Sequence, residues 1–214
     1  MNKVKKDNFD LIFGNNQSIW KQAEKEMEDD NAFGDGIQIN MAGLLDEEFY
    51  FNFNTNKKVQ QIDIMGKKFV IDDTIRPLKW KMTNETKSIL NHNCVKATAT
   101  DIKKKKKVTV ENDKMEKNEI ADTTNIIAWM ATDIPVAAGP AEYQGQLPGL
   151  ILEMDMNNGE EVYKAIGISE KTDLSLIKEP AAKKHYTRED FRKEVNQMVE
   201  EMQRNNGGMI RMKG

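Results

Sequence analysis

Leu150-Ile151-Leu152-Glu153-Met154-Asp155-Met156-Asn157-Asn158-Gly159-Glu160-Glu161-Val162-Tyr163-Lys164-Ala165-Ile166-Gly167-Ile168 reads as two strands folded back on each other. Leu150, Leu152, Met154 and Met156 recur at every second position, so an extended chain puts them on one apolar face. Between the arms, Asn157-Asn158-Gly159 supplies residues that reach positive φ at little cost, which is the chemistry of a tight antiparallel hairpin.

The same period of two continues outward, from Glu48 to Ile168. Glu48-Phe49-Tyr50-Phe51-Asn52-Phe53-Asn54 sets three phenylalanines against Tyr50, Asn52 and Asn54, the pattern of a half-buried strand. Val59 to Met65 and Lys68 to Asp72 flank Gly66-Lys67 and predict another hairpin. Asn93 to Ala99, Val108 to Val110 and Thr124 to Met130 are further strand candidates, the last ending before Pro135. Lys103 to Lys107 is then a solvated turn or a strand edge guarded against edge-to-edge pairing, or else a contact for phosphate groups or an anionic surface.

Helical spacing is confined to the two ends. Trp20, Ala23 and Met27 suggest a short amphipathic helix over Ser18 to Asp29. Thr187 with Asp190 resembles a capping arrangement for a helix over Thr187 to Arg204, whose stripe is Phe191, Val195, Met198, Val199 and Met202. That stripe packs on the domain or serves a partner. The expected protein is therefore mainly β: a single antiparallel, curved sheet, or a sandwich or half-barrel, with a C-terminal amphipathic helix. One domain is expected over 7–178, a linker and helix over 179–206, and a flexible tail over 207–214.

Composition narrows the function classes. The 214 residues are 38% hydrophobic and 31% charged, enough for one domain with a core. The net charge of -3 arises from 32 basic and 35 acidic residues and gives no global field for nucleic acid, so none is expected as a partner. No stretch approaches the length of a transmembrane helix. Either the protein is cytoplasmic, or a leader precedes Met1, since Leu11-Ile12-Phe13 is too short for a signal-peptide core.

Recognisable catalytic chemistry is absent from the motifs: neither a phosphate-cradling loop nor a nucleophile elbow is present. His92 and Cys94 share a strand face and offer a nitrogen and a sulfur to a soft metal, or a thiol with its base. Two ligands are too few for a site, and a nucleophile needs a third, orienting group. A lone cysteine also excludes a disulfide framework within the chain. The 13 methionines are dispersed, so adaptable packing accounts for them better than copper binding, and no cofactor is expected. Pairs such as Asp72-Asp73 and Glu47-Glu48 give no specific carboxylate chemistry.

Gln146-Leu147-Pro148-Gly149-Leu150-Ile151 resembles the signature of the GLPGLI family. Three stretches that precede it match the pattern in order. Trp80 to Leu90 is similar to the family's tryptophan segment, and Cys94-Val95-Lys96-Ala97 to its Cys-x-Lys-Ala element. Ala128-Trp129 with Ile134-Pro135, leading to Gly139-Pro140, is similar to its Ala-Trp and Ile-Pro strand. The departure is Gln146, where the family has the first glycine of its name; Gly145 stands beside it. The resemblance implies a Bacteroidetes protein made with a secretion signal, of unassigned activity, encoded beside outer-membrane receptors. It therefore implies the periplasm or an outer-membrane association, and it supplies no catalytic residue. Trp80, Cys94, Lys96, Trp129, Pro135, Gly139, Pro140, Leu147, Pro148, Gly149, Leu150 and Ile151 are read as structural, with Pro148-Gly149 breaking one element and launching the next strand. The expected function is non-enzymatic binding, with an outer-membrane receptor or another envelope component as partner. The alternative is a carrier that holds a lipid or other hydrophobic molecule against the Phe49/Phe51/Phe53 or Leu150/Leu152/Met154/Met156 face.

Overall fold

Among the described residues, alternating apolar positions and Asn- or Gly-bearing turns produce two sheets and one α-helix. The computed structural model describes residues 6–23, 46–64, 66–111 and 114–205. By their contacts these divide into two compact units, one drawn from Met1–Thr74 with Leu174–Gly214 and the other from Ile75–Asp173.

In the first unit, β1 (Phe9–Gly14), β2 (Gln17–Gln22), β3 (Asp46–Asn52), β4 (Lys57–Ile64) and β5 (Lys67–Thr74) form an antiparallel meander. Asn15 and Asn16, at φ of 50° and 58°, make the two-residue turn that joins β1 to β2. The helix expected over Ser18 to Asp29 is therefore not formed in its described part: residues 17–22 are strand, and residues 24–29 lie outside the described residues. Trp20 pairs with Phe49 across β3 and stacks on Phe9 at 4.9 Å, contacts that outweigh its helical spacing.

Both faces of β3 to β5 are covered, which is why Phe49, Tyr50 and Phe51 are all buried. The alternation places Tyr50 on the polar face, yet it packs with Val59, Val70 and Ile177, and its hydroxyl donates to Gln17 Oε1 at 3.0 Å. Phe53 falls beyond the end of β3, in the following turn. The β4–β5 turn lies one residue earlier than predicted, with Gly66 at φ 81° and Asp63 Oδ1 accepting its N–H at 2.7 Å.

The second unit is also antiparallel: β6 (Lys81–Ile89), β7 (His92–Glu111), β8 (Lys114–Ala131), β9 (Ile151–Met156) and β10 (Glu161–Lys164), in the order β10-β9-β8-β7-β6. The hairpin at Asn157-Asn158-Gly159 forms as predicted, with φ of 52°, 57° and 92°. Two strand expectations are refined. Of the turn and the strand edge expected at Lys103 to Lys107, the turn does not form, and β7 runs through all five lysines in continuous register with β8. In β9, Trp129 pairs with Glu153 but Met130 pairs with Ile151, so Leu152 is the extra residue of a bulge. Ile151 then joins Met154 and Met156 in one core cluster, while Leu152 is buried outside that cluster.

The C-terminal segment returns to the first unit. β11 (His185–Tyr186) pairs parallel with β5, and α1 (Arg188–Asn205) follows it. Thr187 Oγ1 accepts the Asp190 N–H at 3.1 Å and donates to the Asp190 carboxylate at 2.8 Å, the predicted cap. Phe69 meets Tyr186 and Phe191 edge-on at 5.4 and 5.3 Å, and Met198 packs on the same cluster, so the stripe docks within its own unit. The side chain of Met202 lies outside the described residues. Among the described residues the protein is mainly β, with two sheets that do not close into a barrel and a C-terminal helix.

Candidate functional site

The residues singled out in the sequence gather around the second sheet, and most of them build it. The connection 132–150 crosses from β8 to β9 and lays Tyr143 and Leu147 on a core of Ala97, Ile126, Ala128, Met130, Ile151, Met154 and Met156; Leu78 and Trp80 pack against it. Burial pushes the Tyr143 hydroxyl up to about 12, so it stays protonated. The apolar face of β9 is thus filled by side chains of its own unit.

Gly149 and Gly139 are needed for closeness rather than for backbone freedom, since neither has positive φ. A Cβ on Gly149 would lie 2.2 Å from the Ala131 carbonyl oxygen, and one on Gly139 2.8 Å from Ile151 Cδ1. Beside these contacts, Leu150 O accepts from Ala131 N at 2.8 Å, and Ile134 O and Ala138 O accept from the N–H groups of Leu150 and Ile151 at 3.1 and 3.0 Å. Positive φ falls on Gly145, at 74°. Gln146 can therefore replace a glycine without strain, and its Oε1 accepts from Leu78 N at 2.9 Å and Trp80 Nε1 at 3.0 Å, bonds that a glycine could not make. Gln146 thus tethers the tryptophan segment to the connection that enters β9.

On the other face of the sheet, Lys96 stands opposite Trp129. Lys87 Nζ lies 4.3 Å and Lys96 Nζ 6.0 Å from the Trp129 ring centre, and the two ammonium groups pair with Glu153 at 2.8 Å and Glu85 at 2.9 Å. The tryptophan is half-buried beneath these paired charges.

His92 and Cys94 do lie together, but their geometry opposes thiol catalysis. Burial pushes the Cys94 thiol up, and its Sγ lies 3.6 Å from the His92 carbonyl oxygen. The His92 ring is instead held through Nδ1 by Asp133 Oδ2 at 2.8 Å, and this hydrogen bond holds the Asp133 carboxyl below its usual range. Asp133 is the orienting group that sequence reasoning missed, because it lies across the sheet at the end of β8. Among the described residues, no group of three or more His, Cys, Asp or Glu side chains is placed to hold a metal ion.

A polar set in the first unit also escaped sequence reasoning. Asp73 receives Arg188 Nε at 3.0 Å and Lys58 Nζ at 3.6 Å; Arg188 also donates to Gln60 Oε1 at 3.1 Å, and Gln60 to Glu47 Oε1 at 3.3 Å. Burial opposes the Asp73 charge, but the Thr74 N–H, Lys58 and Arg188 outweigh it and hold the carboxyl below its usual range. Its signal was the period of two, which puts Lys58, Gln60 and Asp73 on the face of Phe49 and Phe51. The set fastens the start of α1 to the sheet. His185 Nδ1 adds a contact to Asp72 at 3.0 Å.

The longest strand pair among the described residues is β7–β8. β6 accompanies β7 only as far as Thr98, and β9 accompanies β8 only between Ile126 and Met130. Beyond these points the two strands continue as a ribbon to Glu111 and Lys114, roughly 40 Å at ~3.3 Å per residue. No other strand among the described residues borders it. At its base, burial works against the Lys103 ammonium, but hydrogen bonding to Glu142 at 2.7 Å and the nearby Asp101 keep its pKa above the ordinary value.

A protein family of unknown function, Porph_ging, matches residues 80–153. The match begins at Trp80 and ends at Glu153, and so contains the motif connection and the ribbon. No curated protein matches the chain. Among solved structures, PNGF-II in two crystal forms, C2 and P21, is similar at 19% identity with a TM-score of 0.55, covering 91% of this chain and 30% of that one. That likeness is one of fold. The chain spans about 30% of the length of PNGF-II. Among the described residues, no helix is long and apolar enough to cross a membrane.

Proposed function

We propose that this chain is a GLPGLI-type envelope protein that works by binding, with an outer-membrane receptor or another envelope component as its partner. The observation that carries the reading is the β7–β8 ribbon, whose outer backbone edges are bordered by no other strand among the described residues. Open edges of this length are a means of capturing another chain and a liability otherwise, so a protein keeps them where they serve. The motif residues support the same reading: Gly139, Gln146 and Gly149 close the core of the sheet from which the ribbon extends. The engagement of His92 with Asp133 and the buried Cys94 thiol weigh against catalysis at that pair. The resemblance in Trp80, Cys94, Lys96, Trp129 and 147–151 supports the envelope location. The test is co-purification of the full-length protein from native membranes. A stoichiometric envelope component is expected; recovery alone from the cytoplasmic fraction refutes the reading.

A further inference from the structure

We propose that the outer edge of β7, between Ala99 and Glu111, receives an extended acidic segment of another protein as an added β-strand. This rests on the binding reading above and names the chemistry of the partner. β6 leaves β7 at the Lys81–Thr98 pair, while β8 continues to accompany it on the other side as far as the Glu111–Lys114 pair. In an antiparallel ladder, alternate residues direct their backbone N–H and C=O groups to opposite sides of the strand. Half of the backbone groups from Ala99 to Glu111 thus face the side that β6 has vacated. Among the described residues no strand pairs with these groups, and a strand laid alongside would bond to them in register.

Charge decides which strand is accepted. Lys103 to Lys107 occupy the middle of this edge, so the same edge of a second copy would bring lysines against lysines and be repelled. Lys103 is already paired with Glu142 and Asp101, and Lys106 stands opposite Glu119. In backbone register Lys104, Lys105 and Lys107 pair with Ala121, Ile120 and Asn118. The run of five lysines in the sequence is complementary in charge to an incoming strand rich in Asp or Glu. The β-branched Val108-Thr109-Val110 that follows extends the pairing surface. The far edge, on β8, carries the mixed charges of Lys114, Glu116, Lys117, Glu119 and Asp122 and has no such selectivity.

The probe is a short fluorescent peptide of alternating Glu and Val, titrated into the full-length protein at low salt and followed by anisotropy. A matched peptide, N-methylated at every second residue, keeps the charge but cannot complete a ladder. Binding of the first, weakened about tenfold by N-methylation and about tenfold by Lys104→Gln/Lys105→Gln/Lys107→Gln, is expected. Circular dichroism confirms that the variant is folded, and Lys104→Arg/Lys105→Arg/Lys107→Arg retains binding. Equal binding of the two peptides, or tighter binding to phosphatidylglycerol vesicles that displaces the peptide, overturns the proposal in favour of charge attraction alone. Self-association that the peptide does not disrupt overturns it in favour of a second copy. An envelope component retained equally by wild type and the glutamine variant overturns this edge while the broader reading stands. Peptide binding with no co-purifying component overturns the broader reading alone.

Discussion

Replacing Gly149 with alanine should destabilise the second unit strongly, although the substitution adds a single methyl group. The new Cβ would stand 2.2 Å from the Ala131 carbonyl oxygen and 2.9 Å from Met130 Cγ. Because the first obstacle is backbone, a side-chain rotation cannot relieve it; the end of β8 and the start of β9 must separate by about 1 Å to restore ordinary contact. Overpacking of this kind costs about 1–3 kcal/mol. The separation also strains the 2.8 Å bond from Ala131 N to Leu150 O, and a buried N–H left unpaired adds about 1–3 kcal/mol. The sum, on the order of 2–6 kcal/mol, is a large part of the ~5–15 kcal/mol that holds a domain together. Urea unfolding followed by circular dichroism should show a lower midpoint with an unchanged slope. Gly167→Ala is the control, since nothing lies within 4 Å of a Cβ built there. If Gly149→Ala and Gly167→Ala unfold alike, the close-approach argument is wrong; weaker partner binding with unchanged stability would instead make Gly149 a contact residue.

Gln146→Leu removes the acceptor for Leu78 N and Trp80 Nε1 and should cost about 1–3 kcal/mol with a change in tryptophan emission; an unchanged midpoint and spectrum contradict the tether. Asp73→Asn leaves Lys58 and Arg188 without their carboxylate and should cost about 3 kcal/mol near neutral pH. The Asp73 carboxyl is held below its usual value in the folded protein, so its contribution is present above the unfolded value of ~3.9 and is lost as pH falls through the folded one. The stability gap between wild type and variant should therefore close in acid below about pH 4, and a gap that stays constant with pH counts against the ion pair. Truncation after Pro180 removes Tyr186, Phe191 and Met198 from the Phe69 cluster and should lower stability and expose dye-binding apolar surface. An unchanged midpoint would mean that the helix stripe serves a partner after all.

The parts of the fold legible in the sequence were those in which a local signal agreed with its surroundings. Asn157-Asn158-Gly159 made its hairpin, and Thr187 with Asp190 capped its helix, because turn and cap chemistry act within a few residues. Trp20 shows the reverse: three apolar residues at helical spacing carried less than the turn at Asn15-Asn16 and the pairing of Trp20 with Phe49, a partner far along the chain. A bulge such as that at Leu152 depends on the register of a neighbouring strand and leaves no mark in the alternation itself. The lysine run suited a turn and a strand edge alike, because charge favours both; pairing with β8 decides for the strand. Around the candidate site, the motif residues were found, but their roles were not. The closeness that Gly149 permits, the bridge made by Gln146 and the Asp133 partner of His92 are all relations between segments brought together by folding.

The claim that this protein works by binding is tested most directly in living cells of its source. A photo-crosslinking residue in place of Lys105 puts the probe in the middle of the β7 ribbon, and the same residue in place of Lys171, in the exposed stretch before α1, serves as the control. On illumination, the account predicts one dominant adduct with an envelope protein from position 105, mapped by mass spectrometry to an acidic extended segment, and none from position 171. No adduct at position 105, or the same scatter of adducts from both positions, contradicts it.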